Sequence, residues 1–244
     1  MGKIIDGSDS ADNDSVSGGD GADMLIQADW AGADSETIDG GTGVDTVDYR
    51  WLDIYYVYIT QYVEVDLAAG TVKQYYDDFF GNVLTGTDVL RNVETVIGSV
   101  NGDLLNGSAK GENLSGSYGA DTLNGGGGND KLSGEQDDDV IIQKDLNGYD
   151  TIDGGSGIDT LDYSQITANL GYVTVDWGRH KVNKYSTAGV LLGVDTFSNV
   201  ETINVAPVPG SLVAAPATAD LSAASGDSQL IVVGIPAIAL PAAF

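Results

Sequence analysis

The chain has no cysteine, a single histidine and ten basic residues among 244. Without cysteine there are no disulfides and no thiolate metal centres. With His180 alone, the H-E-x-x-H zinc motif of metalloproteases cannot be built, and a Ser-His-Asp arrangement would have to pass through this one imidazole. His180 sits in the basic stretch WGRHKVNKY, which reads as an exposed turn, with Arg179, Lys181 and Lys184 forming a solvated face. Ten basic residues stand against 37 acidic ones, a formal charge of −27. That argues against nucleic acid or an anionic membrane as partner. No apolar run reaches the ~20 residues of a membrane span. The opening MGKIIDGSDSADND has no apolar core, so no cleavable signal peptide is expected. Acid pairs of the kind used in glycoside hydrolysis arise by chance among so many carboxylates. We therefore expect a chain that is not an enzyme.

What the chain has in plenty is glycine and aspartate in register. Residues 98–142 divide without a gap into GSVNGDLLN, GSAKGENLS, GSYGADTLN, GGGGNDKLS and GEQDDDVII. Glycine opens each nonapeptide. The sixth slot is acidic (Asp103, Glu112, Asp121, Asp130, Asp139) and the eighth aliphatic (Leu105, Leu114, Leu123, Leu132, Ile141). Glycine reaches positive φ at no steric cost, so the first six residues suit a tight turn with carbonyls aimed inward. The last three suffice only for a very short strand whose middle side chain faces one side. One unit cannot fold alone, but stacked units bury a column of aliphatic side chains. An acid in the same slot of every turn suits a hard cation such as Ca²⁺, which takes roughly six to eight oxygens. The alternative is a metal-free solenoid whose acids cap turns. Without cations the acidic loops repel one another and resist compaction. Calcium would then act as a folding ligand.

The flanks continue the pattern. DSADNDSVS and GGDGADMLI fill residues 9–26, with Asp14 and Asp23 in the acid slot. After QADW come AGADSETID and GGTGVDTVD, with Glu36 and Asp45. Past Gln143 and Lys144 the frame resumes as DLNGYDTID and GGSGIDTLD, with Asp150 and Asp159. Residues 49–97 exchange glycine for aromatics: Trp51, Tyr55, Tyr56, Tyr58, Tyr62, Tyr75, Tyr76, Phe79 and Phe80. Here YVEVDL-AAG-TVKQYY reads as a hairpin around Gly70. A longer repeat is also present. TIDGGTGVDTVDY (37–49) matches TIDGGSGIDTLDY (151–163), VEVDL (63–67) matches VTVDW (173–177), and NVETVIG (92–98) matches NVETINV (199–205). The chain is two copies of one module, nonapeptides followed by a β-rich insert. We divide it into a first repeat segment (1–48), a Tyr-rich insert (49–97), the main repeat segment (98–162), a second insert serving as a cap (163–204) and a tail (205–244). The tail has no Lys or Arg and holds all five prolines. The aromatics beside Asp77 and Asp78 read either as plain strand surface or as a sugar-stacking platform. The second reading would make this a carbohydrate-binding or carbohydrate-active protein with a polysaccharide or cell-surface partner.

The nonapeptides, with D-T-[VL]-D-Y, V-x-V-D and N-V-E-T in both inserts, resemble RTX (repeats-in-toxin) proteins of Gram-negative bacteria. They are similar above all to serralysin-type C-terminal regions and the hemolysin-type calcium-binding family, over about residues 9–204. The resemblance implies an all-β fold, a right-handed parallel β-roll (a β-solenoid) with two nonapeptides per coil and several Ca²⁺ ions between successive turns. Carried over slot by slot, the metal ligands would be Asp14, Asp23, Asp45, Asp103, Asp121, Asp130, Asp139, Asp150 and Asp159. Early-loop carbonyls such as those of Gly19, Gly21, Gly126 and Gly128 would complete the shells. Glu36 and Glu112 depart from the family's Asp. The resemblance also implies export to the extracellular space by type I secretion machinery through an uncleaved C-terminal signal, here the tail. The role would be structural or adhesive.

Overall fold

One buried aliphatic side chain per nonapeptide makes every strand short and forces successive units to stack. The computed structural model describes residues 2–6, 15–27, 35–50, 60–78, 81–167, 169–206 and 230–231. Asp14, the aromatics Trp51, Tyr55, Tyr56, Tyr58, Phe79 and Phe80, and nearly all of the tail expected to carry the export signal lie outside the described residues.

The chain opens with β1 (Ile4–Asp6), β2 (Ser15–Asp20), β3 (Met24–Ile26), β4 (Thr37–Thr42) and β5 (Thr46–Asp48). A meander follows, β6 (Thr60–Asp66), β7 (Thr71–Asp78) and β8 (Gly81–Arg91). The central run is β9 (Thr95–Ile97), β10 (Leu104–Asn106), β11 (Asn113–Ser117), β12 (Thr122–Asn124), β13 (Lys131–Gln136), β14 (Val140–Ile142), β15 (Thr151–Ser156) and β16 (Thr160–Tyr163). A second meander, β17 (Gly171–Asp176), β18 (Lys181–Ser186) and β19 (Leu191–Ser198), leads to β20 (Thr202–Val205) and the two-residue β21 (Leu230–Ile231). The described residues are all-β, with one 3-10 turn among them at Trp177–Arg179 between β17 and β18.

Successive strands of the roll alternate between two sheets. One sheet runs β1-β3-β5-β9-β11-β13-β15-β19-β18-β17-β21, the other β2-β4-β8-β7-β6-β10-β12-β14-β16-β20. Two nonapeptides therefore make one coil, and parallel neighbours lie a coil apart: Leu105 opposite Leu123, Leu114 opposite Leu132. The eighth-slot residues meet between the sheets. Leu105, Leu123, Ile141 and Leu161 from one side and Leu114, Leu132 and Ile152 from the other are all buried to within 1%. This is the β-roll architecture.

Each meander replaces one roll strand by three. In the first, β8 lies parallel to β4 and β6 parallel to β10, with β7 antiparallel to both. In the second, β19 lies parallel to β15, and β18 and β17 follow antiparallel. The two are built alike in detail. Both have a register shift in the same place, at Gln74/Tyr75 and at Lys184/Tyr185. Both stack a tyrosine pair across the hairpin, Tyr62–Tyr75 at 5.0 Å and Tyr172–Tyr185 at 5.1 Å. They differ in their surroundings: the first widens the sheet that holds β10, the second the opposite sheet. The outer edge of β6 receives β10, while that of β17 meets β21 through Val175–Ile231 and Asp176–Leu230.

The aliphatic column sets the stability of neighbouring coils. Leu123→Ala is expected to cost about 2–5 kcal/mol, because Leu123 is fully enclosed. Leu84→Ala, at a side chain 50% exposed on the first meander, should stay within ~0.5 kcal/mol. Urea unfolding in saturating calcium measures both.

Candidate metal centres

The acid slot lies one residue before each roll strand, so stacking the strands stacks the acids. The stacking is hydrogen-bonded. On one side the Asp103 N–H donates to Asp121 Oδ1 (2.7 Å), Asp121 N–H to Asp139 Oδ1 (2.8 Å) and Asp139 N–H to Asp159 Oδ1 (2.9 Å). On the other, Glu112 N–H donates to Asp130 Oδ1 (2.9 Å), Asp130 N–H to Asp150 Oδ1 (2.9 Å) and Asp150 N–H to Asp195 Oδ1 (3.1 Å). Asp23 N–H likewise reaches Asp45 Oδ1 at 2.7 Å. The result is two ladders of buried carboxylates, one leading into each sheet.

Four rungs escape the nonapeptide frame: Asp88, Glu94, Asp195 and Glu201. They accept from Glu36 N–H (3.2 Å), Asp45 N–H (3.1 Å), Asp150 N–H and Asp159 N–H (2.8 Å), in that order. Within each pair the chain passes from one ladder to the other in a shorter turn than a nonapeptide allows. Asn92 and Asn199 make those turns in the left-handed region, at φ 51° and 49°. The signal was present as N-V-E-T in both inserts. Superposing the two copies, rather than extending the nine-residue period, would have found it.

The loops fall into two kinds. In six of them the second and fourth slots both have positive φ: Gly19/Gly21, Gly41/Gly43, Ser117/Gly119, Gly126/Gly128, Glu135/Asp137 and Gly155/Gly157. In each of these six, Oδ2 of the acid (Asp23, Asp45, Asp121, Asp130, Asp139, Asp159) is buried without a hydrogen-bond partner among the described residues. Three other acid-slot residues, Asp103, Glu112 and Asp150, are answered from within the chain. Asp103 Oδ2 accepts from Ser99 N–H (2.5 Å) and its Oδ1 from Ser99 Oγ–H (2.9 Å) and Val63 N–H (2.7 Å). Glu112 is bonded by the N–H and hydroxyl of Ser108. Asp150 Oδ2 meets Lys184 Nζ at 3.2 Å. Neither Ser99 nor Ser108 has positive φ, and their loops place glycine in the fifth slot instead of the fourth.

Close approach explains the glycines. A Cβ on Gly116, in the first slot, would sit 2.0 Å from Asp121 Oδ2. A Cβ on Gly41, in the second slot at φ +99°, would sit 2.1 Å from the carbonyl oxygen of Gly19 in the preceding coil. The loops thus present stacked carbonyls and one carboxylate per turn, all of them oxygen donors. No group of three or more acidic or imidazole side chains converges among the described residues. A cation held here would draw most of its shell from backbone carbonyls. A buried carboxylate oxygen with no partner is costly, and a hard, oxygen-seeking cation answers it. The donor set fits Ca²⁺.

Burial dominates the electrostatics of the metal-free loops. It pushes Asp121 up to about 9 and Asp103, Asp130 and Asp139 up to about 7; the N–H of the adjoining rung pulls Asp121, Asp130 and Asp139 part of the way back, and Val63 N–H and Ser99 do the same for Asp103. Neighbouring carboxylates add to the rise at Asp121, Asp130 and Asp139.

Lys184 corrects an expectation. Instead of lying on a solvated face it is fully buried, bonded to Asp195 (2.7 Å) and Asp150 (3.2 Å). Strand alternation turns it inward with Val182, and the two carboxylates give its ammonium a place. Burial by itself would lower its pKa, but Asp195 and Asp150 hold it above the ordinary lysine value. His180 is exposed on the turn after Asp176–Arg179, at φ 53°. Tyr75, a candidate for sugar stacking, lies against Tyr62 and donates its hydroxyl to Glu64 (3.1 Å), the ordinary behaviour of a cross-strand pair.

A family model for the RTX calcium-binding nonapeptide repeat matches the chain in four copies, at residues 7–26, 30–48, 106–141 and 146–163. No curated protein matches it.

Two outcomes follow from the loops. Gly41→Ala combines positive φ with a carbonyl collision, whereas Gly81 has φ +117° and open space around it. Unfolding in calcium should show Gly81→Ala costing about 1–2 kcal/mol and Gly41→Ala clearly more. The second outcome concerns pH in chelator. The folded acids bind protons up to pH 7–9, whereas unfolded Asp releases them near ~3.9. The folded state therefore holds more protons across that window, and its stability falls as pH rises through it. In chelator, circular dichroism should show more β signal at pH 5 than at pH 8.5. Saturating calcium, which needs ionised carboxylates, should reverse the order.

Proposed function

We propose, from the premise that the chain is an RTX-type repeat protein binding Ca²⁺ at several sites, that calcium is the ligand that closes its carboxylate ladders and thereby folds the roll. The six loops with paired positive φ are the sites we assign. Asp23, Asp45, Asp121, Asp130, Asp139 and Asp159 supply the carboxylates, and early-loop carbonyls, including those of Gly19, Gly21, Gly126 and Gly128, supply the rest. Asp14 joins them by its slot alone. Asp103 is a weaker ligand, since Ser99 already occupies both of its oxygens. The observation that carries this reading is the coincidence, loop by loop, of paired positive φ with an orphaned buried carboxylate oxygen.

Magnitudes support a folding role. A site occupied at ~100 times its Kd stabilises the folded state by about 2.7 kcal/mol. A few such sites equal the ~5–15 kcal/mol stability of an ordinary domain. Modest calcium sites fill at roughly millimolar calcium, and RTX calcium-binding repeats are typical of secreted proteins. We therefore place the protein outside the cell. Type I export through the tail is consistent with this, because a chain left open at low calcium can be threaded and then fold after release. We assign it a non-enzymatic role, structural or adhesive, which would give it a cell-surface or matrix partner. The carbohydrate reading has less support, because Tyr75 is engaged by Tyr62 and Glu64.

Circular dichroism in chelator, titrated with Ca²⁺ to about 10 mM, tests the proposal. A cooperative gain of β signal is expected with Ca²⁺ and not with Mg²⁺, and a β spectrum indifferent to calcium would defeat it. Asp121→Asn should raise the calcium midpoint several-fold, while Glu64→Gln, which loses a surface charge pair with Lys73 and keeps an amide oxygen for the Tyr75 hydroxyl, should leave it in place.

A further inference from the structure

Lys184 stands where the ladder would otherwise need a metal. Its Nζ is 2.7 Å from Asp195 Oδ1 and 3.2 Å from Asp150 Oδ2, and it donates to the carbonyl of Asn147 at 3.1 Å. Asp150 and Asp195 are successive rungs of one ladder, joined by the Asp150 N–H. Asn147 belongs to the loop that leads into Asp150. Two carboxylates from adjoining turns plus a loop carbonyl are the kind of donor set that the calcium loops offer. Here the centre is an ammonium with 0% exposure. Asp195 has no oxygen to spare: Oδ1 takes Lys184 and the Asp150 N–H, and Oδ2 accepts from the Tyr163 hydroxyl at 2.5 Å.

The first module gives an internal comparison. Gln74 and Lys184 both sit directly before the register shift of their meander, ahead of the stacked Tyr75 and Tyr185. Gln74 Nε2 donates to Asp88 Oδ2 at 2.7 Å, and Asp88 is the rung that corresponds to Asp195. The same position thus answers the same rung in both copies, with a neutral amide in one and a full positive charge in the other. At the opposite end of the ladder that holds Asp150 and Asp195, Lys3 occupies the slot before β1. Its backbone N–H bonds Asp23 Oδ1 (2.7 Å), and its Nζ donates to the carbonyl of Gly18 (2.6 Å).

We infer that Lys184 is a built-in replacement for calcium at the Asp150–Asp195 rung, so that the junction between the roll and the second meander is neutralised by the chain itself and takes no metal ion. Asp150, an acid-slot residue in good sequence register, is thereby removed from the calcium ligands. The inference rests on the reading of the other rungs as calcium sites.

Calcium stoichiometry by equilibrium dialysis, on the full chain and on Lys184→Ala, tests it. The variant should bind one more Ca²⁺ per chain than the wild type. It should need more calcium than the wild type for half-maximal folding and come close to wild-type stability at saturating calcium. An unchanged stoichiometry in the folded variant overturns the inference. A second measurement does not depend on the variant folding: a crystal of the wild type grown with Tb³⁺ and examined by anomalous scattering. Ions at the loops of Asp121, Asp139 and Asp159, and none between Asp150 and Asp195, support the inference, and an ion between those two defeats it. Wild type that binds no calcium at all would overturn the broader calcium reading, a result distinct from either.

Discussion

Stacked carboxylates are the constraint on which this structure depends. Parallel strands stand ~4.8 Å apart, so an acid before every strand places like charges at that spacing, out of water. At an effective dielectric near 20, two ionised neighbours repel by on the order of 3 kcal/mol, and desolvation adds to it. The roll cannot pack its leucine column without packing this column too. Much of the local chemistry accommodates it. Each described aspartate rung lends its Oδ1 to an N–H of the adjoining coil, a first-slot glycine leaves room for Oδ2, and in six loops paired positive φ shapes the turn around that oxygen.

The remaining negative oxygen is met in different ways along the ladders. In six loops it points at no protein donor and invites a cation. At Asp103 and Glu112 a second-slot serine closes on it. At Asp195 a phenol and an ammonium share the task. The loop conformation follows the choice: where serine reaches the carboxylate, positive φ at the second and fourth slots disappears. The roll is thus a mixed object, with metal-seeking rungs beside rungs complete in themselves. Three metal-seeking loops lie in succession on one side, those of Asp121, Asp139 and Asp159, linked rung to rung.

The nonapeptide period carried much of this. It is local and repeated, so the coil length, the aliphatic columns and the acid slots Asp121, Asp130 and Asp139 could all be read from spacing. The internal duplication marked both meanders, though not which sheet each joins. What escaped notice was set by contacts distant along the chain. Lys184 sits in a basic hairpin and looks solvent-facing until Asp150 and Asp195 are brought around it. The distinction between Ser99 and Ser117 is also hidden. Both follow glycine in the second slot, yet only Ser117 takes positive φ, at 89°. The fourth slot tells them apart, where Gly119 follows Ser117 and Asn101 follows Ser99. Asp88, Glu94, Asp195 and Glu201 were missed because asparagine turns shorten the spacing that a strict period follows.

Each meander has three strands, and the parity of that number matters. A chain that enters a parallel roll and makes an odd number of passes leaves in the direction in which it came, so the next turn continues unreversed. An even number would send it out backwards, and the following acid slot would open toward the wrong sheet. The roll can therefore admit foreign hairpins only in units of two extra passes. The count of nonapeptides between insertions then decides which side of the solenoid each one decorates. Here that count puts the two on opposite sheets, so one repeating filament displays two different faces without any change in its winding.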